Sequence, residues 1–121
     1  MIVSDFLVPF GSLRPSMPNG FTFEAPTCKR NIYRLARALS IDKPILIEGA
    51  PGCGKSSTVV ALAAATGHPL TRLNLSDQTD LSDLFGSDIP VVLPDGSASF
   101  AWSDGPVLSA IKQGHWILLD E

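Results

Sequence analysis

The sequence predicts an α/β fold, and three stretches carry that expectation. Lys43 to Ser56 runs from a short apolar segment through a glycine-rich turn into an Ala- and Val-rich helix. Leu70 to Leu75 alternates apolar and polar residues, the pattern of a half-buried strand. The closing run from His115 rises through Trp116, Ile117, Leu118 and Leu119 into two consecutive carboxylates, Asp120 and Glu121.

Composition sets the frame. The 121 residues are enough for one modest domain, and 45% hydrophobic with 17% charged residues is globular in character. A net charge of −3 argues against a nucleic-acid-binding surface, which carries a basic excess. Cys28 and Cys53 lie far apart, and the second sits inside the glycine turn, so reduced thiols in an intracellular compartment are the simpler reading. No apolar run approaches the roughly 20 residues that span a bilayer. Met1 to Asp5 has no basic region leading into an apolar core, so no secretory signal is expected.

Residues 1–26 read as an irregular lead-in, punctuated by Pro9, Gly11, Pro15, Pro18, Gly20 and Pro26. Its apolar pieces, Phe6–Val8 and Phe21–Phe23, are expected as edge strands or as packing against the domain, and a surface-hugging segment is the preferred form. The core is expected over residues 27–121. Thr27 is placed as a helix cap, with Ile32, Leu35, Ala36 and Leu39 following at i, i+3, i+4 and i+7 on one stripe. Lys29, Arg30, Arg34 and Arg37 fall on other faces. They read either as part of a cover for a bound nucleoside or, preferably, as a solvated basic face.

Ile45 to Ile47 is expected as a buried strand. The turn after it satisfies G-x-x-x-x-G-K-[ST] in the strand–turn–helix context that gives the pattern meaning. Polyphosphate recognition explains the residue types. Glycines let the backbone curl so that successive N–H groups converge, and no Cβ blocks the approach. The helix beginning near Gly54 adds its free donors and its dipole. The expected nucleotide-binding residues are Gly49, Ala50, Pro51, Gly52, Cys53, Gly54, Lys55, Ser56 and Ser57. Lys55 is expected on the β- and γ-phosphates, and the Ser56 hydroxyl on Mg²⁺. Lys55 to Thr66 forms the following helix, apolar almost all round and therefore buried, with Gly67 ending it and Pro69 preventing continuation. His68 reads as a loop or cap residue, since no Cys or His lies at ligand spacing.

Beyond the second strand, Thr79 or Asp80 caps a short helix carrying Leu81, Leu84 and Phe85, interrupted at Gly86. Ile89–Leu93 and Ser97–Trp102 flank Pro94-Asp95-Gly96 and predict a β-hairpin. Phe100 and Trp102 serve there as partner contacts or, preferably, pin the hairpin to its own domain. Pro106 to Gln113 is the next helix, with Pro in its first turn and Gly114 at its end. The final run is a strand on which Asp120 and Glu121 point to opposite faces, at the end that meets a ligand crevice in α/β sheets. Asp120 suits the water shell of Mg²⁺, and Glu121 suits orienting and deprotonating an attacking water, so Glu121 and Lys55 are the candidate catalytic residues.

Phosphate loop, inserted hairpin and Asp-Glu strand end together resemble an AAA+ ATPase module. The hairpin interrupting the second helix is similar to that of the helix-2-insert group, which includes MoxR-type ATPases and dynein-like chains. Several stretches resemble the ring-forming, multi-module AAA+ chains of large-ribosomal-subunit assembly. These are Ala25–Thr27 with Asn31 and Arg34, Lys43–Gly49, Ala61-Leu62 with Thr66–His68, Leu73–Gly86, Phe100–Trp102 with Asp104–Pro106, and Gly114–Glu121. The likeness covers about residues 20–121, and Ser76–Asp80 is its most specific part. Cys53 replaces a small aliphatic residue, which changes little because its backbone N–H does the binding.

The resemblance implies a P-loop NTPase with a three-layer αβα fold and the hairpin set into helix 2. It implies ATP and Mg²⁺ as cofactors, neighbouring AAA+ modules and the pre-60S particle with its assembly factors as partners, and a nuclear location. Neither nucleic acid nor membrane is expected as a direct partner. A module that holds nucleotide without turning it over is the alternative, and a small P-loop kinase is a weaker third reading. The family's strand order of 5-1-4-3-2 places a later strand between the phosphate-loop strand and the Asp-Glu strand. This sequence is therefore expected to be a truncated core without sensor strand, arginine finger or lid, binding nucleotide weakly and hydrolysing it negligibly by itself.

Overall fold

A computed structural model describes residues 2–3, 6–17 and 23–121, and the chain divides into two compact units, Met1–Leu70 and Thr71–Glu121. Residues 21 and 22 of the expected strand Phe21–Phe23 lie outside the described residues. No helix among those described is long and apolar enough to cross a membrane.

In the first unit, β1 (Ile2–Val3) pairs antiparallel with β2 (Phe6–Leu7), and the Phe6 ring meets Tyr33 edge-on at 5.5 Å. Helix α1 spans Pro26–Leu39. Its cap is Ala25, not the expected Thr27, because Pro26 occupies the first turn. There its fixed φ suits the helix and its missing N–H costs nothing. Helix α2 spans Lys55–Thr66, as the sequence predicts. The two helices are in contact, and Ile32, Leu35 and Ala36 of α1 and Ala61, Leu62 and Ala63 of α2 are all buried. Burial of α2 is one-sided, since Val60 remains 37% exposed.

The far end of α2 is closed by the lead-in. Backbone N–H groups of Gly11, Leu13 and Ser16 donate to the carbonyls of Thr66, Gly67 and Ala64 at 2.9, 2.8 and 2.9 Å. Helix C-termini leave their last carbonyls without intrahelical partners, and the lead-in supplies them. His68 Nε2 donates to the Pro9 carbonyl at 2.7 Å, which fixes the proton on that nitrogen. Gly67 serves both needs at this junction. Its φ of 72° ends the helix, and a Cβ there would stand 2.1 Å from the Leu13 carbonyl.

The expected strand Ile45–Ile47 is not formed. Residues 44–50 are extended but carry no strand ladder, and Leu46 is 82% exposed. A strand exists only by pairing, and no described segment pairs with this one, so its sequence preference has nothing to act on.

In the second unit, β3 (Leu70–Asn74) and β6 (Trp116–Asp120) form a two-stranded sheet. Thr71 meets His115 near the strand starts, and the Leu75 N–H donates to the Asp120 carbonyl at 2.9 Å near their ends, so the strands run in the same direction. Helix α3 (Leu81–Phe85) opens with a capping box between Asp80 and Asp83. Strands β4 (Gly86–Val92) and β5 (Ala98–Asp104) form the hairpin, longer at its base than the sequence predicts because Gly86 and Asp104 extend the ladder. Asp88, Pro90, Phe100 and Trp102 share one of its faces by register. Helix α4 (Pro106–Gln113) buries Val107 and Ala110. The Asp104 carboxylate accepts from Lys112 Nζ and from Trp102 Nε1, each at 2.7 Å. Those two donors, Lys112 first, hold it below its ordinary pKa. The Lys112 contact ties the end of β5 to α4, whereas Trp102 bonds Asp104 two residues along its own strand and stays 55% exposed, so it does not pin the hairpin as expected. Phe100 stays 74% exposed.

Candidate functional site

The turn from Gly49 to Lys55 is exposed along most of its length and leads directly into α2. Its curl depends on two left-handed glycines, Gly52 at φ 78° and Gly54 at φ 83°. A Cβ on either would meet nothing within 4 Å, so the requirement for glycine is conformational. Cys53 N–H donates to the Ala50 carbonyl at 3.3 Å and closes the tightest part of the turn. The Cys53 thiol is exposed, and its sulfur lies 2.8 Å from where a Cβ on Gly49 would stand.

Lys55 lies across this turn. Its Nζ donates to the Gly49 carbonyl at 2.6 Å and the Ala50 carbonyl at 3.2 Å. The sequence expectation places that ammonium on phosphate oxygens; in the structure two loop carbonyls hold it at the mouth of the same turn. Ser56 is half-buried and Ser57 exposed on the first turn of α2.

The start of α2 fits a polyanion. Gly54 makes no side-chain cap, and the first turn carries no acidic residue. Helix α3 differs: Asp80 and Asp83 cap its own donors. The N-terminal donors and dipole of α2 thus face no carboxylate of the helix itself. Beside the turn lies a cavity of about 430 Å³, bounded by Asn31 and Arg34 of α1, the Ile45–Glu48 segment, Cys53 and Lys55. That volume falls within the range of small-molecule sites.

Asp120 and Glu121 belong to the second unit. Asp120 closes β6, and its Oδ2 accepts from both Nε and Nη2 of Arg72 on the adjacent β3, the Nε bond measuring 3.1 Å. Glu121 lies beyond the strand, with φ of 65°. Asp120 is the last residue of β6, so the strand itself carries one of the two expected carboxylates. No group of three or more His, Cys, Asp or Glu side chains suited to a metal ion occurs among the described residues. A metal here would thus need further ligands from nucleotide or water, as is usual for Mg²⁺. Arg72 is the site-adjacent residue that sequence reading passed over. Only the pairing of β3 with β6 reveals it, since 48 positions separate it from Asp120.

Comparison with known proteins gives consistent matches. The AAA domain (dynein-related subfamily) matches residues 44–121. Midasin of Giardia intestinalis is 52% identical over 101 residues, and midasin of Dictyostelium discoideum is 46% identical over 101 residues. Each alignment covers 84% of this chain and 2% of the relative, so the chain spans a small part of those proteins' length. Protein NorQ of Paracoccus denitrificans is 36% identical over 84 residues, 69% of this chain and 29% of that protein.

Proposed function

The chain belongs to the AAA domain family, dynein-related subfamily, and on that premise we propose that it forms the nucleotide-binding part of an AAA+ module that binds ATP and hydrolyses it with Mg²⁺. The observation that carries this reading is the turn itself: two left-handed glycines, an inward lysine and an uncapped helix N-terminus in one exposed curl.

The chain's own groups divide the work. Backbone N–H groups of the turn and of the first turn of α2, Pro51 having none to give and Cys53 releasing the Ala50 carbonyl to take part, bind the phosphate tail. Lys55 exchanges two carbonyl partners for phosphate oxygens, a stronger, charge-assisted set. Ser56 and Asp120 would hold Mg²⁺, which when bound supplies positive charge against the developing negative charge of phosphoryl transfer. Glu121 orients and deprotonates the attacking water.

Further elements of the proposal come from the likeness to AAA+ chains of large-subunit assembly. The core completes a three-layer αβα sandwich, and the β4–β5 hairpin is an insert in helix 2. Neighbouring modules form a ring in the nucleus that releases assembly factors from pre-60S particles. Segment 44–50 lacks a pairing partner among the described residues, so weak affinity and negligible turnover are expected of this chain by itself.

Titration of the chain with a fluorescent ATP analogue tests the reading. Saturable binding that Lys55→Ala weakens at least tenfold supports it. Equal affinity in the two proteins overturns it.

A further inference from the structure

We propose that the outward face of the β4–β5 hairpin is a docking surface for a basic, extended segment of a partner protein, with a lysine or arginine of that segment on the Trp102 ring beside Asp88. The inference is independent of the nucleotide reading, since every residue it uses belongs to the second unit.

The two faces of the hairpin differ. Register puts Asp88, Pro90 and Val92 of β4 and Phe100 and Trp102 of β5 on one face, and all five are exposed. The opposite face carries Val91, Ser99 and Ser103, which are half-buried. A hairpin that used its aromatics to hold itself down would set them on the half-buried face. Here they stand on the open one, with Phe100 74% and Val92 79% exposed. Apolar side chains gathered on one open face mark an interaction site, whereas single ones scattered over a surface do not.

Charge says what covers this face. Residues 86–104 carry three aspartates and no lysine, arginine or histidine. Asp104 is paired with Lys112 at 2.7 Å. Asp95 accepts from the Ser97 N–H and hydroxyl inside the turn, at 2.9 and 2.6 Å. The Asp88 carboxylate has neither a hydrogen bond nor an ion pair among the described residues. It stands directly opposite Trp102 in the ladder, where facing Cβ atoms lie about 4.5–5.5 Å apart. The Trp102 indole N–H is already committed to Asp104 at 2.7 Å, so the ring offers a partner its π-face. A cation there meets the ring quadrupole and the Asp88 charge together. The same aspartates repel a nucleic-acid backbone or an anionic bilayer, which leaves a cationic peptide as the occupant. Its extended form follows from the edge. Pro90 has no N–H to offer, while β5 contains no proline and pairs only with β4 among the described strands. A strand added beside β5 sets its alternate side chains next to Phe100 and Trp102.

The whole 121-residue chain is titrated with two fluorescein-labelled peptides, one alternating valine with arginine and one alternating valine with glutamate, and anisotropy is read. Saturable binding of the basic peptide that weakens as salt rises is expected, with no binding of the acidic one. Asp88→Asn and Trp102→Leu are each expected to weaken the basic peptide about threefold or more. Asp88→Asn, a change at an exposed position, is the readable variant if Trp102→Leu does not fold. Equal binding of the two peptides overturns the proposal, as does wild-type affinity in a folded Asp88 or Trp102 variant. Absence of saturable binding overturns it too. Single-stranded RNA that binds more tightly than the basic peptide at the same salt, and loses that binding in the same variants, would give the face to another class of partner and overturn it as well.

Discussion

Lys55 bends back so that its ammonium donates to the carbonyl of Gly49 at 2.6 Å, six residues upstream. The lysine therefore holds the turn together through the very group proposed to meet the phosphates. Hydrogen bonds of this exposed kind contribute about 0.5–1.5 kcal/mol net. Lys55→Ala is accordingly expected to cost no more than about 1 kcal/mol in urea unfolding, while lowering nucleotide affinity much further. A stability loss several times larger would mark Lys55 as structural.

Gly54 should tolerate no side chain without strain. Space is not the obstacle, since a Cβ there meets nothing within 4 Å; the φ of 83° is. Gly54→Ala is expected to cost about 1–2 kcal/mol and to redirect the N–H groups at the start of α2. Denaturant unfolding and nucleotide titration of the same sample should move together. Unchanged affinity would show that the curl is not needed for binding.

Core and surface positions on α2 should separate sharply. Leu62 is fully buried and Val60 is 37% exposed, two residues away. Leu62→Ala is expected to destabilise by about 2–5 kcal/mol, and Val60→Ala by about 1 kcal/mol or less. Urea midpoints of the two variants check the order.

The Asp104 cluster predicts an acid response. Its carboxylate is held below the ordinary value of 3.8 by Lys112 and then Trp102. A depressed folded-state pKa stabilises the native form above the unfolded-state value, and that contribution is lost as pH falls through the folded-state value. The Trp102 indole N–H resonance should therefore titrate with a midpoint below 3.8. Lys112→Ala should move the midpoint upward, and no movement would deny the contact its role.

Much of this architecture is legible in the residues. Pro106 and Gly114 bracket α4, and Gly54 and Gly67 bracket α2, because backbone constraints at such residues act locally and need no neighbours. The likeness to AAA+ modules read from the phosphate turn and the Ser76–Asp80 stretch is supported by the family match and the midasin relatives. What sequence did not disclose depends in part on distant partners and in part on competition between neighbours. Ile45–Ile47 has every local mark of a strand and lacks a ladder. Arg72 looks like one side of an alternating strand until β6 is laid beside it. Lys55 carries a motif role, yet its resting contacts are carbonyls of its own turn, which the pattern does not encode. Thr27 lost the cap to Ala25 because Pro26 claimed the first turn, a local rule outweighed by its neighbour.

The clasp between the lead-in and α2 has a practical bearing on where the domain should be cut for expression. The family match starts at residue 44, and a clone trimmed to that boundary would discard Gly11, Leu13 and Ser16 with it. Water would then have to replace three backbone donors at the helix end opposite the phosphate turn, and Leu62 and its neighbours would lose the cover of α1. Anyone preparing this segment for crystals or spectroscopy gains more by keeping Gly11–Ser16 and α1 than by following the homology boundary.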